Sequence, residues 1–325
     1  MKAAAIASPF DGAPPAGADP IYLAMKSAST GIRRDARRAV EAMWSSYRHR
    51  ATDHWVREFR LQTHKRFWEM YLTLVVEADR HCLDTPRTTR RDEGPDLVLL
   101  RNNLPAVVVE AVCATLGDPG RPNSVPAGLL PSPGKPVVGT YPEEQVILRI
   151  TSVLNDKVNQ RQRHVRRGLI DPDSPFVIAL NCGGHFQLMG GPIEPMALKA
   201  LFPVGHPFIS IDRQTMASVG SGWTPRTTVT KTGTGNLGPV AIPTMMFATP
   251  AFSEISAVLC SNANVTNHGW IGQRRSTHGF VLIRNPFASR PVAPSLLPVD
   301  EVIDGIPAGA GELEIRRQKG RTPVL

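Results

Sequence analysis

The stretch Gly94-Pro95-Asp96-Leu97-Val98-Leu99-Leu100-Arg101-Asn102-Asn103-Leu104-Pro105-Ala106-Val107-Val108-Val109-Glu110-Ala111-Val112 holds two aliphatic runs joined by an Asn-Asn turn. Runs of this length, rich in Val and Leu and bounded by Gly, Pro and Asn, read as a β-hairpin. Side chains alternate across a strand, so Ala106, Val108, Glu110 and Val112 share one face and Val107, Val109 and Ala111 the other. Glu110 is therefore an acid set among aliphatics. Burying its charge costs several kcal/mol unless a cation compensates it. Asp96 opens the neighbouring arm, where the two carboxylates can approach each other. A divalent metal held between them would offset the cost, since Mg²⁺ commonly takes one or two carboxylates and fills its other positions with water and phosphate. The alternative is a structural acid neutralised by Arg149 or Lys157.

Around the hairpin the element order is legible. Residues 33–80 read as helical, with Phe67, Trp68, Tyr71, Leu72 and Val75 recurring at helical spacing on a buried face and Glu69 on its flank. A short strand is possible near His81-Cys82-Leu83. Residues 117–142, crowded with Pro, Gly and Ser, read as a flexible loop. Pro142 followed by Glu143 and Glu144 marks a helix start, and the basic run Arg161–Arg167 before Gly168 marks its end. Phe176–Asn181 is an apolar run of the kind buried on both faces of a sheet.

This order resembles the core of the PD-(D/E)XK nuclease superfamily: Glu69 on a helix, Pro95-Asp96, Glu110 after an apolar strand, then a long helix and a buried strand. The resemblance covers roughly residues 60–182. It implies an α/β fold with a restriction-endonuclease-like αβββαβ core and a mixed central sheet, and Mg²⁺- or Mn²⁺-dependent hydrolysis of phosphodiester bonds. Asp96 and Glu110 match the two metal-binding acids of that superfamily, and Glu69 matches its helical acid, which by the same resemblance completes the metal site directly or through water. Val112 stands where the motif lysine belongs. Some members carry that lysine on the following helix, which here points to Lys157 as the group that orients water or stabilises charge on phosphate. On a helical wheel Arg149, Ser152, Asp156 and Gln160 form a polar stripe bordered by Lys157. From that stripe Arg149, Ser152 and Gln160 are the expected substrate contacts.

The bulk properties suit such a partner. The chain has 325 residues, a net charge of +9 and an isoelectric point near 9.8, and a positive field favours a polyanion such as nucleic acid, DNA being the first expectation. Arginine abundance alone could produce the same charge, because only eight of the 37 basic residues are lysines. No apolar run approaches the ~20 residues that cross a bilayer, so no membrane partner is expected. Cys82, Cys113, Cys182 and Cys260 form no CxxC pair, which favours reduced thiols and a cytoplasmic location. Residues 1–30 read as a disordered leader, 31–183 as the core, and 184–325 as a β-rich extension packed on it, with a peripheral tail after residue 286. Gly233–Gly238 spells GxGxxG, but the β-like sequence after it suits a loop rather than a dinucleotide site. The histidines lack any metal-ligand spacing. A different class of function, a catalytically inactive member of this fold that binds nucleic acid or protein, draws its support from Val112.

Overall fold

The computed structural model describes residues 7–78, 82–83, 94–101, 104–126, 142–184, 196–233, 238–267, 279–309 and 312–320. Four helices come first: α1 (Pro20–Ser27), α2 (Gly31–Tyr47), α3 (Asp53–Leu61) and α4 (Thr63–Ala78). Side-chain oxygens of Asp19, Thr30 and Thr52 cap the first three by accepting backbone N–H bonds. Strands β1 (Cys82–Leu83), β2 (Leu97–Arg101) and β3 (Leu104–Cys113) form an antiparallel meander. Helix α5 (Glu143–Arg166) then crosses over, and β4 (Phe176–Asn181) returns parallel to β3. The antiparallel strands, the long helix and the strand after it follow the order read from the sequence; the parallel pairing of β4 with β3 comes from the structure.

Beyond residue 183 come α6 (Met196–Leu201), the hairpin β5 (Val204–Ile211) with β6 (Ser218–Pro225), and the hairpin β7 (Thr228–Lys231) with β8 (Val240–Pro243). Then β9 (Ala257–Ser261), β10 (Val281–Arg284), β11 (Glu301–Gly309) and β12 (Glu312–Lys319) complete one mixed sheet of order β1-β2-β3-β4-β9-β10-β11-β12. The expected peripheral tail is corrected here. Val299 and Ile303 are fully buried, and β11 and β12 are strands of the main sheet. The extension is likewise not simply laid on the core, because β9 pairs directly with β4 and continues its parallel run. Gly233 is followed within a few residues by strand β8 rather than a helix, while residues 234–237 of the glycine motif lie outside the described residues.

Alternation along β3 and β4 sorts the core into two halves. Leu97, Val107, Val109, Ala111, Val177 and Ala179 face α1–α4, and Val108, Ile178 and Leu180 face α5 and α6. The sheet is therefore sandwiched between helical layers. Trp68 on α4 donates its indole N–H to the Ala179 carbonyl (2.9 Å), which locks that helix to the central strand. Gly168, at φ +65°, ends α5 by donating its N–H to the Val165 carbonyl, a backbone shape that costs glycine little. Burial pushes the Cys113 and Cys260 thiols up and the Cys182 thiol up to about 12, so all three sit as protonated sulfur.

The reading of residues 1–30 as a disordered leader also needs correction over its described part; residues 1–6 lie outside it. Phe10 is buried against the Tyr22 ring (5.6 Å between centroids) and the Phe59 ring (5.9 Å). Asp19 accepts from the backbone N–H groups of Ile21 and Thr63, and Lys26 and Arg60 donate to carbonyls of residues 9–12. A Pro- and Gly-rich composition hid this aromatic anchor. Of the expected loop 117–142, residues 127–141 lie outside the described residues, and Val125 is buried in the described part. If residues 7–30 are integral to the fold, Phe10→Ala should cost about 3–5 kcal/mol in urea unfolding, as for other buried Phe truncations; a loss below about 1 kcal/mol would return the segment to the periphery.

Candidate active site

The hairpin register decides where the two acids meet. Leu97 pairs with Val109, so one step outward Asp96 comes opposite Glu110. The Asp96 carboxylate accepts the Ala111 backbone N–H at 2.8 Å. Glu110 points toward α5 and is wholly buried, between Val108 and Val112 on its own strand and beside Ile178 on the next. Asp96 keeps 30% of its side-chain surface open. The pair is thus closed on one side and reachable on the other.

Lys157 reaches this point from α5. Its ammonium lies 2.8 Å from Glu110 Oε2 and 3.5 Å from Asp96 Oδ2 and is itself 13% exposed. Two helical turns further on, His164 is buried with Nδ1 3.4 Å from Glu110 Oε1. That contact falls within ion-pair distance, yet neither atom has a hydrogen-bond partner of proper geometry. Lys157 and His164 are seven residues apart, within about 20° on the wheel, and so share the helix face turned to the sheet. The spacing is visible in the sequence, but only the partner acid gives it meaning.

The charges separate the two carboxylates. Burial alone would raise the carboxyl of Glu110, but the His164 contact, the Lys157 ammonium and the Asp96 hydrogen bond together hold it below its ordinary range. Asp96 goes the other way. Burial and the neighbouring negative Glu110 lift it to about 7, against the opposing pull of Lys157. Burial disfavours the charged form of Lys157, but the two carboxylates outweigh it and hold the ammonium above its usual range. Near neutral pH the group is a charged Glu110, a charged Lys157 and an Asp96 that exchanges a proton.

Glu69 stands close enough for its charge to raise Asp96, yet its oxygens are engaged elsewhere. Tyr47 donates to Oε1 (3.2 Å) and Arg66, one turn earlier on α4, is paired with Oε2. The polar stripe does not converge. Arg149 donates to the Thr115 carbonyl (3.0 Å) and hydroxyl (3.1 Å) just past β3, Ser152 is exposed, and Gln160 is half-buried. Among the described residues none of these three hydrogen-bonds to Asp96 or Glu110. Arg149 is consequently not the counter-ion of Glu110; Lys157 is.

Asp96 and Glu110 supply hard oxygen donors of the kind a Mg²⁺ ion takes alongside water and phosphate, with Glu110 Oε2 facing Lys157 and Oε1 facing His164. It is a set of two carboxylates: among the described residues no group of three or more His, Cys, Asp and Glu is gathered closely enough to hold a metal. Among the described residues, too, no helix is long and apolar enough to cross a membrane. Neither models of known protein families, nor curated proteins, nor solved structures gave a match to this chain.

If Lys157 compensates the buried Glu110 charge, Lys157→Met should destabilise the protein by about 3–5 kcal/mol. Adding Glu110→Leu should recover most of that loss, because the stranded charge goes with it. Chemical denaturation of both single variants and the double variant measures the coupling; additive losses would show that the two groups do not depend on each other.

Proposed function

We propose that this chain is a metal-dependent nuclease of the restriction-endonuclease-like type, hydrolysing phosphodiester bonds in nucleic acid. The observation that carries this reading is the Lys157 ammonium of α5 within 3.5 Å of both Glu110 on β3 and Asp96 just before β2. The order α4, β1, β2, β3, α5, β4, with β4 parallel to β3, supports an αβββαβ core. Lys157 compensates for Val112 by entering from the helix instead of from the strand.

In this reading Asp96 and Glu110 hold the Mg²⁺ or Mn²⁺, and Glu69, held by Tyr47 and Arg66, acts on Asp96 through its charge. The ion, when bound, supplies a Lewis acid for the scissile phosphate and a more acidic water. Lys157 donates to the water or to a phosphate oxygen at the open side of the pair. Asp96, poised near neutrality, gives up its proton as cations gather around it. Exclusion of bulk water behind Glu110 by Val108, Ile178 and α5 strengthens each of these interactions. The net charge of +9 favours a polyanionic substrate, with DNA the first candidate.

A second reading has its own support. Lys157 already satisfies both acids, and Glu69 is held by Arg66, so the same arrangement is self-neutralising. A silent module that binds nucleic acid or a protein would need nothing more.

Cleavage of DNA and of RNA by the purified chain with Mg²⁺ or Mn²⁺ distinguishes them. The nuclease reading expects metal-dependent cutting that falls by at least about 10²-fold in Asp96→Asn, Glu110→Gln and Lys157→Ala, each checked for folding by circular dichroism. No cutting of either polymer with either metal, together with salt-sensitive DNA affinity, would replace it by the silent-module reading.

A further inference from the structure

Strand β12 is the last strand of the eight-stranded sheet, eight residues long, and among the described residues its one sheet neighbour is β11. The opposite edge, β1, has only two residues. A long open edge presents backbone donors and acceptors to another strand. Its direction is fixed by one bond: Gly320 donates its N–H to the Asp300 carbonyl, so even-numbered positions of β12 turn their backbone groups toward β11. By alternation the N–H and C=O of Ile315 point outward.

The side chains around Ile315 carry a matching pattern. Glu314 and Arg316 are both exposed and lie on one face, and Ile315 is half-buried on the other, against the core beneath α5 and α6. If β12 meets a second β12 antiparallel across a two-fold axis at Ile315, the two outward Ile315 groups exchange hydrogen bonds. Glu314 of each copy then stands opposite Arg316 of the other. A centre one residue earlier would set Glu314 against itself, and one residue later Arg316 against itself. Only the centre at Ile315 unites opposite charges in both pairs, and it also lays Ile315 beside its own copy, extending the apolar face.

From this complementarity we infer that β12 is a self-association edge, through which two copies of this chain join their sheets across a two-fold axis at Ile315. The existing Glu314–Arg316 contact within the chain, 3.3 Å and more than half exposed, is a weak surface pair that exchanges for the two pairs between copies.

Sedimentation of the full chain from low micromolar to about 100 μM tests this, since a dimer's population depends on concentration. The wild type should form a dimer. Glu314→Arg sets like charges opposite each other and should weaken association by at least about tenfold, and Glu314→Arg combined with Arg316→Glu should restore it. Hydrogen exchange reads the same contact without substitution: the Ile315 amide should gain protection as wild-type concentration rises. A wild type that stays monomeric, a dimer indifferent to Glu314→Arg, or an Ile315 amide whose exchange does not depend on concentration would overturn the inference.

Discussion

A buried carboxylate opposite a half-buried ammonium organises this molecule. Glu110 sits at zero exposure in a strand whose neighbours are aliphatic, and Lys157 is the cation that makes the position tolerable. An uncompensated charge there would cost several kcal/mol, a large share of a domain's net stability. The pair also fixes the distance and rotation of α5 relative to β3. Once Lys157 points at Glu110, the same helix face carries Val146, Ile150 and His164 onto the sheet, and Arg149 is left to bind Thr115 at the end of β3. Helix and hairpin are therefore held by one small polar cluster, Lys157 and His164 at Glu110 with Lys157 also near Asp96, inside an otherwise apolar layer.

The N-terminus of that helix is anchored by another buried polar cluster. Glu143, in the first turn of α5, accepts from Lys199 of α6 at 2.6 Å and from Arg226 before β7 at 2.5 Å. Burial raises the cost of its charge, but these two cations hold its carboxyl below the ordinary range. Lys199 is itself only 2% exposed. The crossover helix is thus fixed by ion pairs at its first turn and, through Lys157, just past its middle, which registers its later turns against the acid pair. On the other face of the sheet, His64 at 2.8 Å from the Asn181 side chain and Trp68 at the Ala179 carbonyl hold α4 in turn. Asp96 lies between the two layers, open to the outside and within range of charges from both.

Much of this was legible from residue order alone, for physical reasons that differ by element. The hairpin, α5 and β4 announce themselves through period and punctuation: uninterrupted aliphatic runs, Pro142 with two acids at a helix start, and a glycine at its end. Glu110 could be singled out because strand alternation leaves it no polar company. Its partner was open between Arg149 and Lys157, since one-dimensional spacing does not give the rotation of a helix above a sheet. That rotation also removed Ser152 and Gln160 from the acids and brought in His164, whose isolation in sequence gave it no chemical context. The same limit applies at the chain's ends. Phe10 and Ile303 are core residues embedded in stretches rich in Pro and Gly, where local pattern is silent and only tertiary packing assigns a role.

The charge state of the two acids is the most direct test of this account, and carbon-detected NMR of the side-chain carboxyl groups reads it in the metal-free protein. The account expects Glu110 to remain ionised from neutral pH to below the ordinary carboxylate range, while Asp96 takes up its proton near pH 7. In Lys157→Met the Glu110 carboxyl should move upward, as a buried acid does on losing its cation. An Asp96 that titrates like an exposed carboxylate, or a Glu110 indifferent to the loss of Lys157, would contradict it.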